Sequence, residues 1–258
     1  MQNLYPLFEQ NRILKKELLW SLRDYSFAQL QLEYQEYSQG ILRGCDITVL
    51  GDKLVVSPGI IKYGPFICLM MEEETIGYTP LEQMQFLKIK AEIDRSSPDY
   101  IVYRTMLLLD RNEAKDEDEF ELCRFHLRKG AKLRSRYTGF LDMITGYDTI
   151  NLIYGTWGGL GGESMAPAVT RYFARTVLES ENSQPEDRSF AYLCLSQPGA
   201  VPAQALTAYV RHRSGDVWDT EMDNLSVFQS MCSVIDEIQK GKEKGISNRK
   251  ERRRILVD

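Results

Sequence analysis

The spacing of apolar residues changes twice along this 258-residue chain, and these changes set the fold class. Leucines in residues 9–23 recur every three or four positions, residues 40–129 form short β-branched and aromatic runs between turn residues, and residues after 142 return to helical spacing. Periods near 3.6 and 2 are typical of helices and strands. The pattern predicts an α+β protein with an N-terminal helix, a small antiparallel β sandwich or barrel, and a C-terminal helical domain.

The same changes divide the chain into four predicted parts. They are an N-terminal amphipathic helical segment, an antiparallel β domain, a helical domain and a basic tail, at residues 1–39, 40–141, 142–239 and 240–258. In the first part, the aromatic-rich segment 24–37 either continues the helix or forms an extended lead-in. In the third part we expect helices at residues 165–178, 190–195, 202–213 and 225–238, with Ser164 as the N-cap of the first.

Turn residues predict where the strands of the β domain reverse. Gly51-Asp52 separates two short apolar runs, as in a tight hairpin, and Pro58-Gly59 supplies a second turn. Residues 60–70 are expected to form one strand that bends at Gly64-Pro65.

Strict alternation in residues 86–93 predicts a strand with one buried and one wet face. The side chains expected on the wet face are Lys88, Lys90 and Glu92. Further strands are expected at residues 100–109 and 120–128.

The content of histidine and cysteine argues against an enzyme. The two histidines, His126 and His212, are too few for a Cys/His zinc site or a His-dependent catalytic network. The five cysteines stand far apart among apolar residues and form no CxxC pair, which is typical of reduced, buried thiols. We therefore expect no catalytic residue, no metal and no cofactor.

The segment that most resembles a ligand loop is Gly-rich and precedes a predicted helix, at residues 154–164. Its glycines include Gly158, Gly159, Gly161 and Gly162. Backbone amides before a helix N-terminus can hold an anion, but the segment fits neither the P-loop nor the dinucleotide-binding spacing. It is interpreted as an inter-domain hinge or a close-packing loop, with an anion-binding loop as the alternative.

Charge is distributed unevenly along the chain. The net charge of −5 combines a surplus of +6 in residues 240–254, where eight basic residues face two acidic ones, with −11 elsewhere. The basic side chains that form the candidate interaction tail are Arg249, Lys250, Arg252, Arg253 and Arg254. Such a tail can dock on an acidic face, attract nucleic acid or remain solvated. The acidic cluster at residues 113–121 is one candidate face.

Two further features bear on location. No run of 18 or more apolar residues exists, which argues against membrane insertion. Charged residues interrupt the first 20 positions, so no signal peptide is expected and the chain is predicted to be made in the cytosol.

Three segments of the β domain have a characteristic order of turn residues and strands: residues 40–49, which open with Gly40-Ile41-Leu42-Arg43-Gly44, residues 54–64 and the closing strand 121–130. This order resembles that of phage baseplate and tail-fibre-attachment proteins. The structural turn positions are Gly40, Gly44, Gly51, Pro58, Gly59 and Gly64. The resemblance covers about 130 residues, and Cys45 and the helical part after residue 142 depart from it.

The resemblance implies a non-enzymatic structural subunit of a contractile tail or tail-like injection particle. Its partners would be other baseplate or tail subunits, including copies of itself, and it would end in a virion or a phage-tail-like particle. Two alternatives remain from the residues themselves. One is an enzyme that binds a phosphorylated or nucleotide ligand at residues 155–164, and the other is a nucleic-acid-binding protein that uses the basic tail.

Overall fold

A computed structural model describes residues 13, 15–114, 116–215 and 222–240. Its helices are α1 Lys16–Glu33, α2 Pro167–Glu179, α3 Pro185–Ser196, α4 Ala203–Ser214 and α5 Asn224–Gln239. A 3₁₀ helix spans Phe140–Ile144. The strands are β1 Gly40–Gly44, β2 Ile47–Leu50, β3 Lys53–Val56, β4 Gly59–Tyr63, β5 Phe66–Met70, β6 Glu74–Gly77, β7 Met84–Asp94, β8 Val102–Asp110, β9 Glu119–His126, β10 Trp157–Gly159 and β11 Gly162–Ser164. The predicted α+β class is confirmed.

The described strands form three sheets. The largest has the order β11-β10-β1-β4-β5, and the other two have the orders β2-β3-β6 and β8-β7-β9. The pairing of β1 with β10 is parallel, and the other pairings between these strands are antiparallel. Four of these pairings are hairpins between consecutive strands, and the pairing of β1 with β10 joins strands more than 100 residues apart.

The turns follow the sequence in part. Strands β2 and β3 pair across Gly51, whose φ of +64° suits a tight hairpin turn. At Gly64-Pro65 the predicted bend is wrong, because the chain reverses fully there and Tyr63 pairs with Phe66. The single strand expected at residues 60–70 is thus the β4–β5 hairpin.

The N-terminal helix also differs from its predicted bounds. It begins at Lys16 and continues to Glu33, so the ambiguous segment that follows residue 23 is mostly helical. The four C-terminal helices lie where expected, although α3 begins five residues earlier, at Pro185. Ser164 is not the N-cap of α2, since it lies in β11 and donates a hydrogen bond to the Val201 carbonyl at 2.6 Å.

Strand pairing crosses the predicted boundary between residues 141 and 142. The hairpin β10–β11 belongs to the third predicted part, residues 142–239, yet it completes the sheet that contains β1. One continuous core runs from Ile41 in that sheet to Ile238 in α5. At its helical end an aromatic cluster joins the 3₁₀ helix to α2–α5, with members Phe140, Phe173, Phe190, Tyr209 and Phe228.

A buried polar network joins three of the helices beside that cluster. Asp187 in α3 is fully buried, accepts a hydrogen bond from the Tyr209 hydroxyl at 2.9 Å and pairs with Arg213 at 3.0 Å. Arg213 also pairs with Glu237 in α5 at 2.9 Å. Because buried charges are tolerated only when they are paired, this network fixes how α3, α4 and α5 pack.

The segment that leads from β9 to β10 is held by Asp142. Its carboxylate accepts two hydrogen bonds from the Arg134 guanidinium, at 2.6 and 2.7 Å. Further hydrogen bonds come from Thr138 and from the Thr145 hydroxyl. The bonds from Arg134 hold the pKa of Asp142 well below its usual range.

We expect Asp142→Asn to lower the free energy of unfolding at pH 7 by about 1–3 kcal/mol, the usual cost of disrupting a charged hydrogen-bond network. Because the pKa of Asp142 is lower in the folded state, its stabilisation is present above the unfolded pKa of about 4 and is lost as pH falls. Urea unfolding at pH 7 and pH 3 should therefore show a smaller difference between variant and wild type at pH 3. The control is the exposed Asp116→Asn, and an equal loss of stability at both pH values would contradict the prediction.

Candidate interaction surface

Helix α1 has an unusual solvent exposure for its composition. None of its residues is buried. Six large apolar side chains along it are exposed: Leu19, Trp20, Leu22, Tyr25, Phe27 and Leu32. They occur on several sides of the helix, and exposed apolar patches of this kind commonly mark interaction sites. Helix α1 is therefore the strongest candidate surface for binding another molecule.

The end of α1 is attached to the large sheet through Lys62 on β4. The Lys62 ammonium donates hydrogen bonds to the carbonyl oxygens of Tyr34, Gln35 and Tyr37, at 2.8, 3.0 and 2.7 Å. These carbonyls directly follow the helix C-terminus, where the helix dipole places partial negative charge, so a cation is favoured there. Burial lowers the pKa of Lys62. The buried ring of Tyr34 packs edge-on against Tyr37 beside this clamp.

Two grooves border the second half of α1. One, of about 550 Å³, lies between α1 and the β7–β8 loop and is lined by Phe27, Tyr100 and Ile101 among others. The other, of about 540 Å³, lies against the β4–β5 hairpin and is lined by Leu32 and Gly64 among others. These apolar side chains are exposed, so the surface extends from the helix onto the β domain. We call α1 and its two grooves the α1 surface.

The predicted turn residues lie in the β domain, and of these only Gly64 lines the α1 surface. Gly44, Pro58 and Gly59 line a separate shallow depression next to Met71. Close packing requires glycine at positions 44 and 59. A Cβ atom at Gly44 would overlap the Pro58 carbonyl, and one at Gly59 would overlap the Cys45 sulfur.

In the Gly-rich segment, which was interpreted as a hinge or a close-packing loop, residues 157–164 form the β10–β11 hairpin. A Cβ atom at Gly158 would lie 2.5 Å from the Ser38 carbonyl oxygen, and one at Gly159 would lie 2.7 Å from the Ser164 side chain. Gly161 and Gly162 make the turn with positive φ. The amide of Gly159 donates to the Ser38 hydroxyl and that of Gly161 to the Glu36 carbonyl, so neither is free to hold an anion.

Part of the acidic cluster pairs with basic residues of the central strand β7. Lys88 was expected on the wet face but is 2% exposed, and it pairs with Glu119 at 2.7 Å and Asp110 at 3.1 Å. Burial lowers the pKa of Lys88, but these hydrogen bonds outweigh the effect and raise it overall. Lys90 pairs with Asp118 at 3.2 Å.

Another part of the cluster pairs with Arg124 on β9. Its guanidinium donates to both oxygens of Glu121, at 2.7 and 2.8 Å, and to Glu113 at 2.6 Å. These carboxylates hold the β8–β9 connection in place instead of forming a free acidic face. The five arginines and lysines of the candidate interaction tail lie outside the described residues, so their position relative to this cluster remains a prediction.

The histidine and cysteine side chains of the described residues do not form a cluster. His126 ends β9 and His212 lies in α4. The five thiols are free, and burial with nearby carboxylates raises the pKa of Cys45 to about 12. Within the described part of the chain, no three His, Cys, Asp or Glu side chains group as a metal site. Likewise, none of the described helices is both long and apolar enough to cross a bilayer.

Comparisons with known proteins give weak likenesses. No protein-family model and no curated protein matches the chain. A chain in the cryo-electron microscopy structure of the type VI secretion system TssK-TssF-TssG baseplate subcomplex aligns with 93% of this chain and 100% of its own length, at 8% identity and a TM-score of 0.41. A crystal structure of TssK aligns with 96% of this chain and 71% of its own, at 8% identity and a TM-score of 0.39. Likenesses this distant assign neither a fold nor a function to the chain.

We expect Lys62→Met to release the end of α1, because the carbonyls of Tyr34, Gln35 and Tyr37 lose the ammonium that ties them to β4. Hydrogen exchange should speed up in residues 30–37, and the free energy of unfolding should fall by about 1–3 kcal/mol. The matched control is Lys53→Met, at an exposed lysine on β3. Unchanged exchange in residues 30–37 of the Lys62 variant would show that the clamp does not hold the helix.

Proposed function

We propose that this protein is a non-enzymatic structural subunit of a phage or phage-tail-like baseplate that binds neighbouring subunits during tail assembly. The observation that carries the binding role is α1, a helix of 18 residues with none of them buried. The choice of a baseplate rests on the resemblance of residues 40–64 and 121–130 to baseplate and tail-fibre-attachment proteins.

The energetics of the α1 surface support a binding role. Each fully buried Leu or Phe side chain contributes about 1.5–3 kcal/mol relative to its exposed state. Several such side chains on one helix are sufficient to anchor a specific interface, in which a few apolar and aromatic residues carry most of the affinity. The Lys62 clamp favours binding further, because a helix that is already held in place loses less conformational freedom when a partner binds.

The alternative of a ligand-binding enzyme has less support. Its predicted loop would need free amides, and those of Gly159 and Gly161 are already bonded within the protein. No observation on the described residues favours a phosphorylated ligand over a neighbouring subunit.

We also propose that the basic tail docks on an acidic partner, with nucleic acid as the alternative. The cluster at residues 113–121 is a poor acceptor, because Glu113, Asp118, Glu119 and Glu121 already pair within the chain. An acidic face on another subunit is therefore the favoured acceptor.

A matched pair of leucines tests the proposal. Leu32 in the α1 surface and Leu50 at the β2–β3 turn are each 71% exposed. We expect Leu32→Glu to be lost from purified tail particles, because a charge at a buried contact is strongly unfavourable. Leu50→Glu should co-sediment with the particles as the wild type does. Both variants should keep the wild-type circular dichroism spectrum.

Two outcomes would contradict the proposal. The first is a strain that lacks the gene and still assembles complete, functional tails. The second is equal recovery of the Leu32 and Leu50 variants in the particles, which would remove α1 from the interface.

A further inference from the structure

We propose that the outward side of α1 pairs with the same side of α1 from a second copy of this chain, with the two helices antiparallel. This inference rests on the proposed function, because it names one of the neighbouring subunits that the α1 surface binds. It concerns the side of α1 that points away from both grooves.

The grooves identify that side. Gln31 lines both of them, so it faces the body of the protein. Leu22 is nine residues earlier, which at about 3.6 residues per turn is two and a half turns, and it therefore lies on the opposite side of the helix. Leu19, Leu22 and Tyr25 are 45%, 47% and 62% exposed.

The residues around Leu22 have the spacing of a helix–helix contact. Leu18, Leu22, Tyr25 and Gln29 follow one another at intervals of four, three and four residues, as do the a and d positions of a coiled coil. Together with Leu19 they form what we call the outward seam. The seam contains no charged residue, so a second copy brings no like charges together along its length.

Charges stand only at the two ends of the seam, and they have opposite signs. Lys15 is the N-cap of α1 and Glu33 is its last residue, and both are exposed. They are 18 residues apart, or about five full turns, so they lie on the same side of the helix as Leu22. The helix between them is about 27 Å long.

This arrangement selects the direction of pairing. In an antiparallel pair, Lys15 of each copy lies beside Glu33 of the other, and both ends are matched. In a parallel pair, lysine meets lysine at one end and glutamate meets glutamate at the other. A two-fold axis through the middle of α1 gives the antiparallel pair a closed interface, the commonest form of a protein dimer.

The mass of the full-length protein in solution tests the pairing. Light scattering after gel filtration should give twice the chain mass of 29.8 kDa at high concentration and a fall towards 29.8 kDa on dilution. Leu22→Glu should raise the dimer dissociation constant by about tenfold or more, because it brings two like charges close together near the two-fold axis. Trp20→Glu is the matched control, since Trp20 is 48% exposed and lies on nearly the opposite side of α1, and it should leave the dimer intact.

A charge exchange tests the direction. Lys15→Glu and Glu33→Lys should each weaken the dimer, and the double variant should restore it, because the exchange recreates the two opposite-charge pairs. Wild-type protein that stays at 29.8 kDa at every concentration, equal weakening by the Leu22 and Trp20 variants, or no restoration in the double variant would each overturn this inference.

The outcome is separable from that of the proposed function. A protein that co-sediments with tail particles but is monomeric in solution overturns the pairing and leaves the function in place. A dimer that is absent from the particles overturns the function and leaves the pairing in place.

Discussion

The parallel pairing of β10 with β1 is the contact on which the rest of the fold depends. Ile41 pairs with Trp157, its amide bonds to the Thr156 carbonyl at 2.9 Å, and the Ser38 amide bonds to the Gly159 carbonyl at 3.0 Å. The approach requires glycine at position 158, where a Cβ atom would lie 2.5 Å from the Ser38 oxygen. Because β11 leads directly into α2, this pairing also fixes where the four C-terminal helices pack and makes the core continuous.

The same sheet determines how α1 is presented. Its strand β4 supplies Lys62, which binds the carbonyls that follow the helix, and the β4–β5 hairpin forms one of the two adjoining grooves. These contacts hold the second half of α1 and leave its outward seam in solvent. The exposure of Leu22 and Tyr25 is thus a consequence of how the sheet holds the helix.

The sequence predicted several turns and helices, but not the pairing of β1 with β10. The turn at Gly51 and the four C-terminal helices follow from turn residues and helical spacing, which are local signals. The β10–β11 hairpin carries no such signal, because four of residues 157–164 are glycines at 158, 159, 161 and 162 that have no side chains to show a period. The reversal at Gly64 was missed because apolar residues continue on both sides of it.

The candidate surface was also hidden from the sequence for a physical reason. Apolar spacing predicts an amphipathic helix but not what covers it, so only the structure reveals that α1 is left exposed. The charge pattern, in contrast, predicted an exposed docking face that the structure largely neutralises. The acidic cluster reads as a docking face, yet Lys88, Lys90 and Arg124 neutralise much of it inside one sheet. In the proposed interface, apolar area supplies most of the affinity, and the charges of Lys15 and Glu33 act mainly on the orientation of the partner, because exposed ion pairs add little affinity.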